Sequence, residues 1–392
     1  MKIVIHRGTH QIGGVATEIR TAKTRIIIDM GDELSLDPDF QPEALNISGV
    51  TDTNGQCDAV LFTHNHGDHV GQLKNIRSDI PLYMGSFAKK ILLKTIRKAA
   101  PETIAKIENA ATFVPGKKFM IGDIAVTPFC IDHSAADSYM FLIEADGKRI
   151  LHTGDFRTHG FRGKAVPKIL DKLVRKVDVL ITEGTTLSRT ASEPLTEQEL
   201  QREAAKYIKQ YKYVFVLAAS TNLERICALS KATPRGKYFL CDKYQSELLA
   251  MVEEEWGQYS PLYRNIKRTT YGENLLKKLH ARGFVMMVRD NRRFRKIIQQ
   301  FNPAQSIMLY SMWDGYRTKD GSTIPDFLSL AGKWETLHTS GHATPEDIAM
   351  VIGKTEPDVV IPIHTVQPDA LKTLCPNCNV VVLQDGEELN VE

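Results

Sequence analysis

Short apolar runs separated by turn residues fill the first half of the chain. Each run holds about four to eight Val, Ile, Leu, Phe or Tyr residues and ends in Gly, Asp or His, which predicts a strand leading into a loop. The runs are KIVIH, TRIIIDMG, DAVLFTHNH, IPLYMG, DIAVTPFCID, SYMFLIEADGKRILHTGD and DVLITEG. The turn Ala145-Asp146-Gly147-Lys148 joins two runs at hairpin distance and predicts an antiparallel pair. Between the runs, FAKKILLKTIRKAA has helical spacing with a cationic solvent face.

The pattern changes near Pro194. Helical segments such as LTEQELQREAAKYIKQY and STNLERICALSKA alternate with the strand runs KYVFVLAAS, KYFLCD, FVMMVR and SIMLYS, which predicts a parallel-rich α/β unit. After Trp334 the histidine-bearing strand and loop segments resume. We therefore expect one domain in two parts, residues 1–190 and 336–392, interrupted by an inserted domain of residues 191–335.

Length and charge support this division. A chain of 392 residues exceeds the size at which single hydrophobic cores stop growing. The net charge is only +3, but residues 195–335 hold 23 Lys+Arg against 15 Asp+Glu, a net +8, which leaves −5 for the remainder. A basic inserted domain beside an acidic domain suits a polyanion substrate. The densest basic run is Arg289, Arg292, Arg293, Arg295 and Lys296, for which a solvated helix face is the equal alternative.

Cysteine usage and the start of the chain bear on location. Six cysteines are scattered without a leading signal peptide, so we expect reduced thiols in a cytoplasmic protein. No apolar segment of 18 residues is present, and we expect neither export nor a membrane span. Cys375 and Cys378 form a lone CPNC that resembles half a zinc site or a redox pair, and a plain surface turn is the expected reading.

The strongest chemical signal is Thr63-His64-Asn65-His66-Gly67-Asp68-His69, which follows the run DAVLF. A strand places alternate residues on one face, so His64 and His66 are expected to point at one ion. The turn at Gly67 then brings Asp68 and His69 toward a second ion. A lone histidine is usually structural, but four such ligands within six residues predict a metal centre.

This motif resembles the signature of the metallo-β-lactamase superfamily, and the rest of the chain resembles its β-CASP nucleases. The resemblance implies an α/β fold, an αββα sandwich with an inserted α/β β-CASP domain. Asp29 in IIIDMG matches the motif that supports the ligand loop. The resemblance implies two ligand sets, the first being His64, His66, His133 and Asp155, and the second Asp68, His69, Asp155 and His364.

Three later motifs resemble the nucleic-acid branch. Glu183 in ITEGT matches an acidic motif, and His342 in TSGHA matches the histidine that the family pairs with that acid. His364 in IPIHT matches a final ligand found in RNA-processing members, whereas DNA-repair members usually carry an apolar residue there. The resemblance is closest to the ribonuclease J group, whose members are longer. This chain ends about 28 residues after His364, so a further domain is not assumed.

The implied activity is hydrolysis of RNA, as an endonuclease, a 5′ exonuclease or both, by a hydroxide bridging two divalent metal ions. Histidine-rich ligands suit Zn²⁺ or Mn²⁺ better than Mg²⁺. The expected catalytic residues are Asp68, His342, which protonates the leaving oxygen, and Glu183, which orients His342. Ser340, Gly341 and Ser134 are weaker candidates for contacts with a substrate phosphate.

Three alternatives stay open. A small-molecule hydrolase acting on a lactone, thioester or β-lactam would use the same metals without needing the basic insert. A silent nucleic-acid-binding subunit would lose ligands, which this chain retains. A DNA nuclease is opposed only by His364. The expected partner is single-stranded RNA, with DNA and homo-oligomers open.

Overall fold

The alternation of β-branched runs and turn residues gives two units of mixed α/β structure in the computed structural model. The structure describes residues 1–35, 37, 40–96, 99–189 and 194–391. The first unit comprises Met1–Ser35, Gln41–Ser192 and Gly341–Glu392, and the second comprises Leu36–Phe40 and Glu193–Ser340. The predicted boundary at 190/191 lies outside the described residues, and the first unit resumes at Gly341, a few residues after the predicted 336.

The described strands follow the apolar runs closely. They are β1 Lys2–Arg7, β2 Ala16–Arg20, β3 Arg25–Ile28, β4 Ala59–Leu61, β5 Leu82–Met84, β6 Ala111–Thr112, β7 Phe119–Ile121, β8 Ile124–Ile131, β9 Ser138–Ala145, β10 Lys148–His152, β11 Val179–Glu183, β12 Tyr213–Ala218, β13 Tyr238–Cys241, β14 Thr269–Thr270, β15 Phe284–Val288, β16 Ser306–Ser311, β17 Trp334–Thr336, β18 Val359–Ile363 and β19 Glu388–Asn390.

The described α-helices lie between them. They are α1 Gly67–Val70, α2 Ser86–Thr95, α3 Pro101–Asn109, α4 Val166–Ile169, α5 Glu197–Gln210, α6 Leu223–Ala232, α7 Lys243–Trp256, α8 Leu276–Arg282, α9 Arg292–Ile298, α10 Gly315–Thr318, α11 Ile324–Ser329, α12 Pro345–Thr355 and α13 Ala370–Leu374. Capping boxes begin α5 and α12, where Thr196 pairs with Glu199 and Thr344 with Asp347. The predicted helix around FAKKILLKTIRKAA ends at Thr95.

Two sheets form the centre of the first unit. One has the order β19-β1-β2-β3-β4-β5-β6 and the other β18-β11-β10-β9-β8-β7. Their apolar faces share one core, to which Ile26, Leu61, Phe141 and Ile181 contribute. A second core lies under α2 and α3 and a third under α4, α12 and α13. These layers are an αββα sandwich, so the predicted α/β fold class is confirmed.

Strand direction brings the loops that carry histidine and aspartate to one edge. β3 runs parallel to β4, and β11 runs parallel to both β10 and β18. The carboxyl ends of parallel strands meet at the same edge of a sheet. The predicted hairpin joins β9 to β10 antiparallel, with Asp146 and Gly147 at φ 50° and 72° as a tight two-residue turn requires.

The second unit is built on a parallel sheet, as its alternating pattern predicts. The order is β14-β13-β15-β12-β16-β17, and every pairing in it is parallel. Its core includes Phe215, Phe284 and Phe301. A fully buried ion pair joins Arg225 to Glu197 at 2.6 Å. In the part of the chain that the structure describes, the longest helices have 14 residues, and none is long and apolar enough for a membrane span.

Candidate metal centre

The loop after β4 carries the densest group of candidate ligands. β4 ends at Leu61, so His64 and His66 lie beyond the strand, and the expected strand alternation does not orient them. The loop is held by Asp29 instead, whose carboxylate accepts hydrogen bonds from the Thr63 N–H and hydroxyl, both at 2.7 Å. Where a turn was expected at Gly67, the short helix α1 presents Asp68 and His69.

Asp155 lies at the centre of the histidine cluster. Its Oδ2 is 3.1 Å from His69 Nε2, 3.9 Å from His64 Nε2, 4.0 Å from His133 Nε2 and 3.8 Å from His364 Nε2. Four imidazoles from three segments of the chain therefore converge on one carboxylate oxygen. Such a convergence of imidazole nitrogens on a carboxylate oxygen suits the binding of divalent cations.

Three groups of side chains bring their ligand atoms within 4.8 Å of one another. The groups are His64, His66 and His133; Asp68, His69, Asp155 and His364; and Asp155, Glu183, His342 and His364. The structure thus brings together all seven of the side chains expected as ligands. The first two groups correspond to the two expected sets, with Asp155 positioned between them.

Hydrogen bonds at Nδ1 indicate which nitrogen each ring offers. His69 Nδ1 lies 2.8 Å from Asp29 Oδ2, His133 Nδ1 lies 2.6 Å from the Gly341 carbonyl, and His64 Nδ1 lies 3.1 Å from Thr63 Oγ1. A partner at Nδ1 leaves Nε2 as the ligand atom and fixes the orientation of the ring. His66 differs, since its Nδ1 faces His133 Nε2 at 3.3 Å.

These donors fit divalent cations. His64 Nε2 is buried and has no hydrogen-bond partner among the described residues, as expected for an atom that serves as a metal ligand. Two nitrogens that each lie about 2.05 Å from a tetrahedral ion are about 3.3 Å apart. The His66 to His133 separation has this value. Histidine and aspartate together suit zinc or another first-row divalent ion.

Electrostatics within the cluster favour the same interpretation. Burial and the neighbouring histidines hold the pKa of His64 and His133 well below the usual value, so both rings are neutral and have a lone pair. For His69, burial opposes the charged form, but Asp155 and Asp29 outweigh it and raise its pKa. A cation bound at His69 Nε2 would therefore displace this proton.

His342 and Glu183 form a separate pair beside the cluster. His342 Nδ1 lies 3.0 Å from Glu183 Oε2 and 3.6 Å from Asp155 Oδ2. Burial disfavours the imidazolium, yet these two carboxylates raise the pKa of His342. Glu183 itself is buried and accepts the Phe156 N–H at 2.8 Å. The His342 side chain is 21% exposed while those of His64 and His364 are at most 1% exposed, so His342 is accessible to a substrate.

The candidate phosphate contacts have different surroundings. Ser134 Oγ lies 3.4 Å from His133 Nε2, beside the cluster. Gly341 uses its carbonyl to hold His133, and a Cβ at this position would lie only 2.5 Å from Ser134 Oγ, which explains the glycine. Ser340 is the last residue of the second unit.

The remaining histidines near the motifs have structural partners. His6 lies 2.7 Å from Glu18, His10 contacts Thr9, and His338 contacts Arg225. His152 is fully buried and its Nδ1 accepts the Gly154 N–H. The Cys378 N–H bonds to the Cys375 carbonyl in a turn, and burial raises the pKa of Cys375 to about 11. Neither cysteine belongs to a ligand group of the described residues.

The basic run in the second unit divides into two classes. Arg289 pairs with Asp242, and Arg295 makes a two-point ion pair with Asp290 at 2.7 and 2.8 Å. Arg292, Arg293 and Lys296 are exposed. Two of the five members of the run therefore have their charge balanced within the unit, and the other three face solvent.

The sequence indicated Asp29 and Glu183 as supporting residues but did not indicate the others that hold the histidines. Thr63, Thr185 and the Gly341 carbonyl all contact Nδ1 atoms, and Gly31 allows a close approach of backbone, since a Cβ there would overlap the Asp68 carbonyl. Gly31, Thr185 and Gly341 lie within the motifs IIIDMG, ITEGT and TSGHA, and Thr63 directly precedes His64, but the motifs do not reveal these contacts.

The chain is similar to several known proteins. The model of the "Beta-lactamase superfamily domain" matches residues 24–216. Ribonuclease J of Helicobacter pylori is 20% identical over 429 residues, covering 100% of this chain and 61% of the relative. Ribonuclease J of Mycoplasma genitalium is 23% identical over 254 residues, covering 61% of this chain and 43% of the relative. An RNase J-like protein of Methanocaldococcus jannaschii is 27% identical over 212 residues, covering 52% and 47%.

The chain thus spans about two fifths to three fifths of the length of these relatives. A solved structure of a protein of unknown function from Enterococcus faecalis V583 matches 99% of both chains with a TM-score of 0.80 at 19% identity. That likeness concerns the fold alone.

Proposed function

Because the chain is a ribonuclease J-like protein of the metallo-β-lactamase fold, we propose that it is a metal-dependent phosphodiesterase that hydrolyses single-stranded RNA. The observation that carries the proposal is the histidine and aspartate cluster around Asp155 with the His342–Glu183 pair beside it. The second unit takes the role of a β-CASP domain in this proposal, and its net charge of +8 over residues 195–335 suits a polyanion.

The proposed cofactors are two divalent ions, with zinc as the first choice and manganese or magnesium as the others. His64, His66, His133 and Asp155 hold one, and Asp68, His69, Asp155 and His364 hold the other. Bound ions supply Lewis-acid activation of water and of phosphate oxygens. The buried, unpartnered His64 Nε2 supports this assignment.

His342 is proposed as the general acid. Its raised pKa keeps a proton available near neutral pH, and the Glu183 carboxylate at 3.0 Å orients the ring. The leaving oxygen of a phosphodiester takes that proton as the bond to phosphorus breaks. Asp68 Oδ2 lies 3.2 Å from His364 Nε2, and Asp68 acts within the ligand set. Ser134 and Gly341, with Ser340 next in the chain, remain the proposed contacts for a non-bridging phosphate oxygen.

RNA rather than DNA is proposed on two grounds. The relatives named above are ribonucleases by name, and His364 occupies the last ligand position. A cytoplasmic location is part of the proposal, supported by the six cysteines, all of which are thiols.

The test compares end-labelled single-stranded RNA and DNA of matched sequence, each with a 5′-monophosphate or a 5′-hydroxyl. Zinc- or manganese-loaded protein is expected to cleave the RNA, and the product ladder separates internal cleavage from stepwise 5′ removal. His66→Ala serves as the metal-site control and is expected to be inactive. Faster hydrolysis of a lactone or thioester than of RNA would replace the proposal with a small-molecule hydrolase, and faster DNA cleavage would replace it with a DNA nuclease.

A further inference from the structure

Thr185 lies between two histidines that the proposed function uses differently. Its Oγ1 is 2.8 Å from His364 Nδ1 and 3.2 Å from His342 Nδ1, and the residue is 1% exposed. We propose that Thr185 is a positioning residue whose hydroxyl fixes the ligand tautomer of His364 and, through the same oxygen, the orientation of His342. The inference rests on the proposed function for its catalytic consequence but not for its structural part.

The backbone around Thr185 is fixed from both sides. β11 and β18 are parallel neighbours with Glu183 opposite Ile363, and the Gly184 N–H donates to the Ile363 carbonyl at 3.0 Å. His364 has the uncommon φ of 53°, and its N–H donates to the Gly8 carbonyl at 2.7 Å. The two strand ends therefore hold the hydroxyl and the His364 ring in one register.

The segment of His342 is attached to the same turn. Thr186, the next residue, donates its hydroxyl to the Ala343 carbonyl at 2.5 Å. Glu183, two residues earlier, is the carboxylate partner of His342. Thr185 thus lies between His342 and His364. Neither imidazole can move without breaking a hydrogen bond.

Proton counting defines what the hydroxyl does. A threonine hydroxyl has one proton and two lone pairs. When its proton goes to the His364 carbonyl, at 3.3 Å, both lone pairs are left for the two Nδ1–H groups. His364 then carries its proton on Nδ1, and its bare Nε2 faces Asp68 Oδ2 at 3.2 Å and Asp155 Oδ2 at 3.8 Å, ready to act as a ligand.

The same oxygen shares the Nδ1–H of His342 with Glu183. A second acceptor at 3.2 Å beside the carboxylate at 3.0 Å confines the plane of the ring. The other ring nitrogen is then left for a substrate oxygen. One hydroxyl therefore links the ligand set to the proton donor. Among the described side chains, that of Thr185 alone contacts the Nδ1 atoms of two histidines.

Removal of the hydroxyl allows the other tautomer of His364. In Thr185→Val the shape is kept, but Nδ1 loses its acceptor, and Nε2–H donation to Asp68 becomes the favoured arrangement. A ring with its proton on Nε2 cannot bind a cation there until the proton moves. Loss of such an outer partner typically costs about 10- to 100-fold in metal affinity.

The experiment uses the full chain with ¹⁵N-labelled histidine. In metal-free protein, NMR reports which nitrogen of His364 carries the proton, and titration of zinc against a chromophoric chelator gives the two binding constants. For Thr185→Val we expect a shift of His364 toward the Nε2–H tautomer and about 10- to 100-fold weaker binding of one ion. Thr185→Ser, which keeps the hydroxyl, is expected to restore both, and Thr185→Ala provides a second removal variant should valine not fold.

Thr186→Val is the matched control, because it also loses a buried threonine hydrogen bond but contacts neither ring. It is expected to leave the His364 tautomer and the zinc constants unchanged. Wild-type tautomer and affinity in Thr185→Val would overturn the proposal, as would equal effects of the two valine variants. Absence of RNA cleavage by the wild type would instead contradict the proposed function, since the tautomer and zinc measurements need no substrate.

Discussion

Asp29→Asn tests the metal centre through a residue that holds the ligand loop but is not itself an expected ligand. The Asp29 carboxylate is fully buried and accepts three hydrogen bonds, two from Thr63 at 2.7 Å and one from His69 Nδ1 at 2.8 Å. Asparagine tolerates the left-handed φ of 61° at this position, so the backbone needs no adjustment. An alanine there would add backbone strain and confuse the result.

The magnitude follows from the proton on His69. The asparagine oxygen can still accept the buried Thr63 N–H, which leaves the NH₂ group facing His69 Nδ1. Because two donors cannot pair, Nδ1 gives up its proton, and the one remaining proton stays on Nε2, the nitrogen that lies 3.1 Å from Asp155. We expect about 10- to 100-fold weaker binding of the ion in the Asp68, His69, Asp155 and His364 set, or roughly 1.4 to 2.7 kcal/mol.

The assay is a competition between the protein and a chromophoric chelator for zinc, with urea unfolding of the metal-free protein in parallel. Asp137→Asn is the matched control. Asp137 is 4% exposed and also accepts three hydrogen bonds, from Phe87 N, Ala88 N and the Tyr139 hydroxyl, but lies outside the ligand groups. The control is expected to lose stability and keep its zinc affinity. Two unchanged zinc constants in Asp29→Asn would refute the reasoning.

Three further changes test other parts of the site and fold. His342→Ala should keep its metal content, but its rate of RNA hydrolysis should fall roughly 10²- to 10⁴-fold. The loss should be smaller on an activated aryl phosphodiester, and equal losses on both substrates would contradict the role of His342 as a general acid. Joint Arg292→Glu and Arg293→Glu reversal, with the paired Arg295 kept, should weaken the binding of long RNA and flatten its salt dependence. Cleavage of a dinucleotide should not change, and an unchanged salt slope would contradict a role of Arg292 and Arg293 in RNA binding. Glu18 is 1% exposed, and although burial opposes its ionisation, hydrogen bonds from its basic neighbours lower its pKa from 4.5 to about 2. The carboxylate therefore stabilises the fold above pH 4.5 by up to roughly 3 kcal/mol. This stabilisation is lost as the pH falls toward 2. Glu18→Gln should accordingly narrow the stability difference between pH 7 and pH 3 in urea titrations, and an identical pH dependence in the variant would exclude this role.

Sequence patterns predicted most of the fold because its strands are apolar runs with clear ends. The short edge strands escaped prediction, since β6 and β14 have two residues each and are formed by their neighbours. The parallel sheet of the second unit followed from the regular alternation of helices and strands. The exact point of return to the first unit did not, because a boundary depends on contacts that no local pattern encodes.

The site was predictable where its residues are close in sequence. His64, His66, Asp68 and His69 form a dense local motif, whereas Thr185 contacts His364 across 179 positions of the chain. That contact depends on the register of β11 against β18. The internal ion pair of Arg295 was likewise missed, because a run of basic residues does not reveal which members have an acidic neighbour in the fold.

The separation of 296 positions between Asp68 and His364 has a consequence for synthesis. A ribosome releases the ligand loop early, but β18 and His364 follow only after all of the second unit has been made. Domains generally fold as units during translation, so the centre is completed last, when β18 adds to β11. Under the proposed function, a nascent chain is therefore unable to cut the messenger that encodes it until His364 has emerged from the ribosome.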